Sequence, residues 1–129
     1  AVMQRAEKMM TKGGSALTLT YYGAERIMPH YNVMGVAKAA LEASVRYLAA
    51  DLGVDNIRVN AIAPGTVNTP MNSGLLDDER KRQAVIDATP LRCLGTPDDV
   101  AAVATFLASD ESDFMTGATI VCDGGWLTQ

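Results

Sequence analysis

The sequence has few of the residues that build disulfide frameworks and metal sites. Its 129 residues include two cysteines and one histidine, and no C-x-x-C pair. Cys93 and Cys122 lie far apart, so two reduced thiols fit them better than a secretory framework does, and we expect a cytoplasmic protein. One histidine and two distant cysteines leave no convincing zinc site, so we expect no bound metal.

Long apolar runs and clustered positive charge are also lacking. No apolar run reaches the roughly 20 residues that a membrane-spanning helix needs, so we expect no membrane association. The formal net charge is -4, and the densest basic cluster, Arg80–Arg82, directly follows three acidic residues. Because phosphate backbones are bound by clustered Lys and Arg, we expect no nucleic-acid partner.

Neither glycine-rich motif of phosphate-binding loops is present. The sequence contains no G-x-G-x-x-G and no G-x-x-x-x-G-K-[ST], so a phosphate-cradling first turn is missing from these residues. The opening stretch AVMQRAEKMM spreads apolar residues at helical spacing from its first positions. We therefore expect a chain that starts partway through a larger fold.

The rest of the chain alternates strand and helix patterns. Short apolar stretches rich in β-branched residues predict strands at 15–20, 57–63 and 119–122. Helical patterns are predicted at about 1–10, from His30 to Leu52 with Gly53 as the stop, at 77–88, and after the cap Thr96. Residues 23–29 and 66–74 are predicted as irregular connections. This order is typical of a parallel α/β sheet buried on both faces, with about three strands and four helices in one domain spanning 1–129.

The first candidate site is a tyrosine and a lysine at the start of the long helix. Tyr31 and Lys38 stand seven positions apart, and such residues return to nearly the same helix face about 10 Å further along the axis. An ammonium beside a phenol favours negative charge there, so the pair could stabilise an oxyanion. On spacing alone, a packed ring and a solvated amine are the commoner explanation.

Further candidates follow the strands. Tyr21 comes directly after the first predicted strand, where open α/β sheets bind ligands, although a ring that merely covers the sheet end is an equal alternative. After the second strand, Gly65 lets the backbone approach a ligand, and Val67 and Thr69 could bind a polar ring substituent or a phosphate. An ordinary turn is the alternative there.

These segments, in this order, resemble the short-chain dehydrogenase/reductase superfamily. More narrowly, TLTYYGAERIMPHYNVMGVAKAALEASVRYLAADLG, residues 18–53, is similar to NADH-dependent enoyl-acyl-carrier-protein reductases of fatty-acid synthesis. The features that carry this similarity are Tyr21, the stretch GAERIMP, and Tyr31 separated from Lys38 by six residues. The common branch of the superfamily has a tyrosine four positions before the lysine, where this chain has Met34.

The resemblance implies a Rossmann-like doubly wound sheet, of which this chain is the carboxyl-terminal half, and a role for each site residue. Tyr31 would stabilise the enolate of a trans-2-enoyl thioester, and Lys38 would bind the nicotinamide ribose of NADH, with NADPH as the alternative. Gly65, Val67 and Thr69 would hold the carboxamide and pyrophosphate side of the cofactor.

For the substrate, the resemblance implies that Tyr21, Met34 and Met71 line the pocket, with about 71–76 as a mobile lid. The implied partners are an enoyl substrate carried on acyl carrier protein and further copies of the chain, in a dimer or tetramer with the long helix at a seam.

The second half of the sequence is closer to the common branch of the superfamily. NAIAPGTVNTPM and TPDDVAAVATFLASDESDFMTGATIVCDGG resemble 3-oxoacyl reductases and sugar or steroid dehydrogenases. Two alternatives to an enoyl reductase therefore stay open: a common-branch NAD(P)-dependent dehydrogenase, and an inactive fragment that lacks the nucleotide-binding half.

Overall fold

The computed structural model describes residues 2–128, which fold around a parallel sheet. Its three strands are β1 (Gly14–Leu19), β2 (Ile57–Pro64) and β3 (Thr119–Cys122), in the spatial order β1-β2-β3. In the register, Gly14 lies opposite Ile57, and Ala61 lies opposite Thr119. The predicted strands are confirmed to within one residue at each end.

The helices lie between and beside the strands. The α-helices are α1 (Met3–Ala6), α2 (Asn32–Leu52), α3 (Ser73–Leu76), α4 (Glu79–Ala88) and α5 (Pro97–Ala108). Short 3-10 turns occupy Glu7–Met9, Tyr22–Ala24, Gly53–Asp55, Pro70–Asn72, Asp110–Ser112 and Trp126–Thr128. The parallel strands and intervening helices confirm the α/β class.

Three predicted segments differ from the structure. The helix expected over 1–10 begins at Met3 and tightens into a 3-10 turn after Ala6, and Ala1 lies outside the described residues. The stretch 23–29 is not wholly irregular, because it begins inside the turn Tyr22–Ala24. The stretch 66–74 contains the turn Pro70–Asn72 and the start of α3, so the described chain has five α-helices rather than about four.

The predicted stop of α2 at Gly53 is confirmed, although Gly53 does not adopt the left-handed conformation common at helix ends. Helix α2 does end at Leu52, but Gly53 has φ -61° and continues into a 3-10 turn. The left-handed residue that closes this turn is Asn56, with φ 58°. Asparagine enters that region more readily than other non-glycine residues do, because its short polar side chain can hydrogen-bond locally.

Helices cover both faces of the sheet, as a doubly wound fold requires. On one face, α2 packs Val45, Ala49 and Leu52 against the sheet in the core that also contains Ile57, Val59 and Ala61. On the other face lies α5, whose Leu107 is fully buried. The two helices therefore fix β2 between them, and its residues are almost all buried.

The expected burial on both faces does not extend to the outer strands. In β1, Leu17 and Leu19 are 36% and 53% exposed, and Val121 of β3 is 48% exposed. Within the described residues β1 is an edge strand, paired with β2 on one side only. The burial on both faces expected from the sequence therefore holds for the central strand β2 and not for β1 and β3.

Polar side chains fix the elements behind β2. Arg58 donates from Nη1 to the Leu107 carbonyl at 3.0 Å and to the Ser112 hydroxyl at 2.9 Å. The Asn60 amide donates to the Met115 carbonyl at 2.8 Å and accepts from the Ala118 N–H at 3.0 Å. These bonds tie the end of α5 and the approach to β3 to the central strand.

The start of α5 confirms the cap predicted from the sequence. Thr96 precedes Pro97, its hydroxyl accepts from the Asp99 N–H, and the Asp99 carboxylate accepts from the Thr96 N–H. This reciprocal arrangement satisfies donors at the helix start that have no partner inside the helix. It fixes the direction in which α5 leaves the loop beside the site.

Candidate active site

Segments that follow all three strands meet at one edge of the sheet. A cavity there is lined by Tyr21 and Tyr22 after β1, by the Gly65 turn after β2, and by Asp123 and Trp126 after β3. Because the strands are parallel, their carboxyl ends lie at the same edge, which is where open α/β sheets bind ligands. The candidate site is therefore assembled by the topology of the sheet.

Tyr31 stands at the junction between the loop after β1 and helix α2. It is the residue before the helix, and its carbonyl accepts from the Gly35 N–H at 2.6 Å. Its half-buried ring lies against Gly23, where a methyl group would come within 2.6 Å of ring carbon Cδ1. A methyl on Gly35 would lie 2.9 Å from the Gly23 carbonyl oxygen. These two glycines let the loop lie close against the start of α2.

The structure brings Tyr21 and Tyr31 together. Their ring centroids are 5.3 Å apart in an edge-to-face arrangement, and the Tyr22 ring also contacts Tyr21, tilted by 59° with centroids 4.7 Å apart. Burial, with smaller contributions from Tyr22 and Tyr31, raises the pKa of Tyr21 to about 12. The shift extends to higher pH the range in which Tyr21 keeps its phenolic proton and can act as a hydrogen-bond donor.

Lys38 lies in α2, two helical turns after Tyr31, and its side chain reaches the end of β1. Its Nζ donates to the Leu19 carbonyl at 3.0 Å, and the residue is half-buried. An ammonium group has further N–H donors besides this one, and the Lys38 ammonium has no other hydrogen-bond partner within residues 2–128. The bond to β1 fixes the charge close to the loop that carries Tyr21.

Gly65 begins the turn after β2 and touches the segment after β3. A methyl group at this position would lie 2.8 Å from the Asp123 Cα, and the Gly65 N–H donates to the Cys122 carbonyl at 2.9 Å. Asp123 in turn accepts from the N–H groups of Gly125 and Leu127. The close backbone approach that Gly65 makes in this structure is to the β3 turn, and its approach to a ligand stays a prediction.

Val67 lies in a second cavity of about 170 Å³, between the Gly65 turn and residues 91–95. Its carbonyl accepts from the Asn72 side chain at 2.7 Å, and it forms an isolated bridge with Gly95. Thr69 directly precedes the turn Pro70–Asn72, and its hydroxyl has no hydrogen bond among the described residues. Gly65 and Val67 thus line this cavity, whereas Thr69 lies outside its lining.

The two methionines predicted to contact substrate are exposed. Met34 is 48% exposed in the first turn of α2, and Met71 is 93% exposed in the turn Pro70–Asn72. Leu76, at the end of the stretch expected as a lid, is buried. In the structure these methionines are not enclosed by the chain.

Sequence reasoning missed Glu42 and Thr20, which are both buried and bonded to each other. Thr20 donates from its hydroxyl to a carboxyl oxygen of Glu42 at 2.6 Å, and their exposures are 4% and 5%. The available signal was a glutamate one helical turn after Lys38 in an apolar helix. Its partner could not be read from the sequence because Thr20 lies 22 residues away.

Across residues 2–128, no group of three or more His, Cys, Asp and Glu side chains is arranged to hold a metal ion. In the same part of the chain, no helix combines the length and apolar character needed to cross a membrane.

The doubly wound parallel sheet, with its site at the carboxyl edge, defines a Rossmann-like fold of the kind that binds dinucleotides. The family model described as enoyl-(acyl carrier protein) reductase matches residues 1–127. The chain belongs to this family, within the short-chain dehydrogenases and reductases.

Named relatives agree with this assignment. The NADH-dependent enoyl-[acyl-carrier-protein] reductase FabI of Bacillus subtilis is 50% identical over 126 residues, covering 98% of this chain and 49% of the relative. The structure of the Bacillus cereus enoyl-acyl carrier protein reductase with NADP+ and indole naphthyridinone superimposes with a TM-score of 0.91 at 47% identity, covering 99% of this chain and 50% of that one. This chain therefore spans about half the length of the relatives it matches.

The fold is equally close to a dehydrogenase of the common branch. Gluconate 5-dehydrogenase from Burkholderia cenocepacia, solved with NADP and tartrate, superimposes with a TM-score of 0.93 at 28% identity, covering 99% of this chain and 51% of that one. The backbone is thus shared by both branches, and sequence identity is what separates them.

Proposed function

We propose that this chain is the carboxyl-terminal portion of a single-domain, NADH-dependent enoyl-acyl-carrier-protein reductase of fatty-acid synthesis. The observation that carries the proposal is the Tyr21–Tyr31 pair at the carboxyl edge of the sheet, with Lys38 held against β1 beside it. The names of relatives about 50% identical support the substrate class. In this proposal residues 1–129 complete the catalytic side of a domain that also needs the rest of the relatives' length.

The proposed reaction reduces the carbon–carbon double bond of a trans-2-enoyl thioester. Hydride adds to the β-carbon, the electrons of the double bond move to the thioester oxygen, and the α-carbon then takes a proton from water. NADH, when bound, supplies the hydride, with NADPH as the alternative. The protein lowers the barrier by stabilising the charge that develops on the oxygen.

Tyr31 is the proposed donor to that oxygen. Its ring is fixed between Gly23 and Tyr21, and its hydroxyl has no partner among residues 2–128. Tyr21, a neutral phenol at neutral pH as tyrosines ordinarily are, is the proposed second phenol facing the substrate. Donors that are already fixed in place need little reorganisation when charge develops.

The proposed cofactor contacts come from Lys38 and the turn after β2. Lys38 would bind the ribose hydroxyls with the donors not used for Leu19. Gly65, Val67 and Thr69 would contact the nicotinamide carboxamide and the pyrophosphate. These residues fit the nicotinamide end of the dinucleotide, because they offer an ammonium and backbone groups at the carboxyl ends of the strands.

The proposed substrate surface adds Met34 and Met71 to Tyr21. Both methionines are exposed, and flexible thioether side chains can adapt to an acyl chain. Residues 71–76 would cover the substrate as a lid. The acyl chain would arrive on acyl carrier protein.

The exposed side of α2 supports a homo-oligomer, either a dimer or a tetramer. Val33, Val36 and Tyr47 are each more than 70% exposed on this helix, and neighbouring alanines leave it slim enough for close helix packing. We also propose a cytoplasmic location, because two free thiols suit a reducing compartment.

The direct test uses a full-length enzyme that contains residues 1–129, with NADH and either a crotonyl thioester or a 3-oxoacyl thioester. We expect NADH oxidation with the crotonyl thioester. No turnover with that substrate, together with clear turnover of the 3-oxoacyl thioester or a sugar, would reject the proposal.

A common-branch dehydrogenase is the second candidate, favoured by the similarity to gluconate 5-dehydrogenase. Against it stands Met34, which occupies the position of the tyrosine acid in that branch. In a common-branch enzyme, the Tyr31→Phe variant would keep its carbonyl reduction. In an enoyl reductase, the same variant would lose most of its enone reduction.

The third candidate is an inactive fragment that associates through its open sheet edge. Within the described residues β1 has one unpaired side, and an unpaired edge invites pairing with another chain. Titration of the 129-residue chain with NADH tests this candidate. Tight binding of one NADH per chain would contradict the fragment hypothesis.

A further inference from the structure

Glu42 is a buried carboxyl group with one neutral partner. The residue is 5% exposed, and the Thr20 hydroxyl at 2.6 Å is its only side-chain hydrogen-bond partner within residues 2–128. Removing a carboxyl group from water is unfavourable, and an apolar pair of similar volume would often pack as well or better. Stability alone therefore does not account for this pair.

The pair belongs to a double attachment between α2 and the end of β1. Lys38 and Glu42 lie one turn apart on the same face of α2, and they contact the consecutive residues Leu19 and Thr20. The Thr20 N–H also donates to the Ile62 carbonyl at 2.8 Å, which continues the sheet ladder by one residue. Thr20 is thus held from both its backbone and its side chain.

The next residue after this attachment is Tyr21. Its backbone is extended, with φ -157° and ψ 148°, and its ring makes the edge-to-face contact with Tyr31. A shift of Thr20 would be transmitted directly to Tyr21, because the two residues are adjacent in the chain. Glu42 lies in α2, and Tyr31 is the residue directly before this helix. The helix therefore fixes the positions of both phenols.

We propose that Glu42 is a positioning residue that acts through Thr20 to hold the Tyr21 phenol beside Tyr31. This inference rests on the proposed function, in which the two phenols face the thioester oxygen. A misplacement of about 1 Å at such a site can lower the rate on the order of a hundredfold. Glu42 itself touches neither substrate nor cofactor in this account.

The test uses paired variants in the full-length enzyme with a crotonyl thioester. Thr20→Val and Glu42→Leu remove the bond while keeping side-chain volume, and Thr20→Ser and Glu42→Gln retain a donor and an acceptor. Thr18→Val is the matched control, because Thr18 lies two residues earlier on the same strand and its side chain has no hydrogen bond among the described residues.

We expect kcat to fall about tenfold or more in Thr20→Val and in Glu42→Leu, with little change in the KM for NADH. The double variant should be no slower than either single variant, since both remove the same bond. Thr20→Ser and Glu42→Gln should recover most of the rate, and Thr18→Val should keep it. Unchanged kcat in Thr20→Val and Glu42→Leu, with normal folding, would overturn the inference.

A second comparison separates a positioning role from a general loss of structure. On a Tyr21→Phe background the Thr20→Val change should have little further effect, because the hydroxyl being positioned is already absent. Equal effects of Thr20→Val with and without the Tyr21 hydroxyl would overturn the positioning role. If the wild-type enzyme turns over only a 3-oxoacyl thioester or a sugar, the proposed function fails instead, and the same cycle on that substrate still reports whether Glu42 positions Tyr21.

If Thr20→Val or Glu42→Leu fails to fold, the conservative variants carry the test. Glu42→Gln keeps an acceptor of the same length, so a crystal structure should place Tyr21 against Tyr31 as in the wild type. An active Glu42→Gln enzyme whose Tyr21 ring has left Tyr31 would overturn the inference.

Discussion

The rings of Tyr21 and Tyr31 meet edge to face, with centroids 5.3 Å apart and planes inclined at 66°. One residue follows a strand and the other precedes a helix, and Gly23 in the turn between them leaves room for the contact. Edge-to-face pairs are stabilised by the ring quadrupoles. The two hydroxyls can therefore be removed singly, as phenylalanine variants, without removing the ring contact.

The raised pKa of Tyr21 predicts a loss of stability in alkali. The folded-state pKa is about 12 and the ordinary value is 10.0, so the folded state favours the neutral phenol. Its contribution is fully present below the unfolded pKa and is lost as pH rises toward the folded pKa. The free energy of unfolding of the wild type should fall more steeply over this window than that of Tyr21→Phe. Equal pH dependence of the unfolding free energy in the wild type and in Tyr21→Phe would contradict the burial of the Tyr21 hydroxyl.

Replacing Lys38 with methionine should weaken NADH binding. The change removes an ammonium that donates to the Leu19 carbonyl and, in the proposed function, to the cofactor ribose. Hydrogen bonds to charged groups contribute about 1.5–3 kcal/mol, so we expect the KM for NADH to rise on the order of tenfold or more.

The matched control for Lys38 is Lys12→Met, at an exposed position just before β1 whose side chain has no hydrogen bond or ion pair among the described residues. Steady-state kinetics on the full-length enzyme measure both variants. An unchanged KM for NADH and an unchanged kcat in Lys38→Met would contradict the proposed role of Lys38 in cofactor binding.

A methyl group at Gly65 should destabilise the turn after β2. It would lie 2.8 Å from the Asp123 Cα, and backbone cannot move aside as a flexible side chain can. We expect Gly65→Ala to cost on the order of 1–3 kcal/mol and to reduce activity. Gly74→Ala is the control, because a methyl there meets nothing within 4 Å and lies in α3.

Differential scanning calorimetry distinguishes the two glycine variants. Tm should fall for Gly65→Ala, and it should hold or rise for Gly74→Ala because alanine loses less backbone entropy on folding. A Gly65→Ala enzyme with the wild-type Tm would show that the β3 turn can move away.

The capping box of α5 predicts an acid-dependent contribution to stability. Hydrogen bonds from the Thr96 hydroxyl and N–H lower the pKa of Asp99 below its ordinary value of 3.8. This contribution is present above the unfolded pKa and disappears as pH falls through the folded one. The stability difference between wild type and Asp99→Asn should therefore shrink in acid. A difference that stays constant with pH would contradict the ionised cap.

Local signals in the sequence predicted several elements well. Thr96, Pro97 and Asp99 define the start of α5 because capping depends on neighbours within one turn. The β3 boundaries match for a similar reason, since Asp123 and the following glycines form a turn by themselves. The order of strands and helices was sufficient for the parallel sheet.

Features set by distant contacts were not predictable in the same way. Gly53 does end α2, but the left-handed residue that redirects the chain is Asn56, next to the start of β2. Glu42 was not singled out in the sequence, and it is buried against Thr20 from another element. In the candidate site, the two tyrosines and the lysine were predicted from the sequence, whereas the attachment that positions them was not.

The measurement that tests the account most directly compares wild type, Tyr31→Phe and Tyr47→Phe in the full-length enzyme. Tyr47 is 75% exposed on the same helix and serves as the control. With NADH and a crotonyl thioester, we expect kcat to fall about 100-fold or more in Tyr31→Phe and to stay unchanged in Tyr47→Phe. Enone reduction that survives in Tyr31→Phe at the wild-type rate would contradict the central claim.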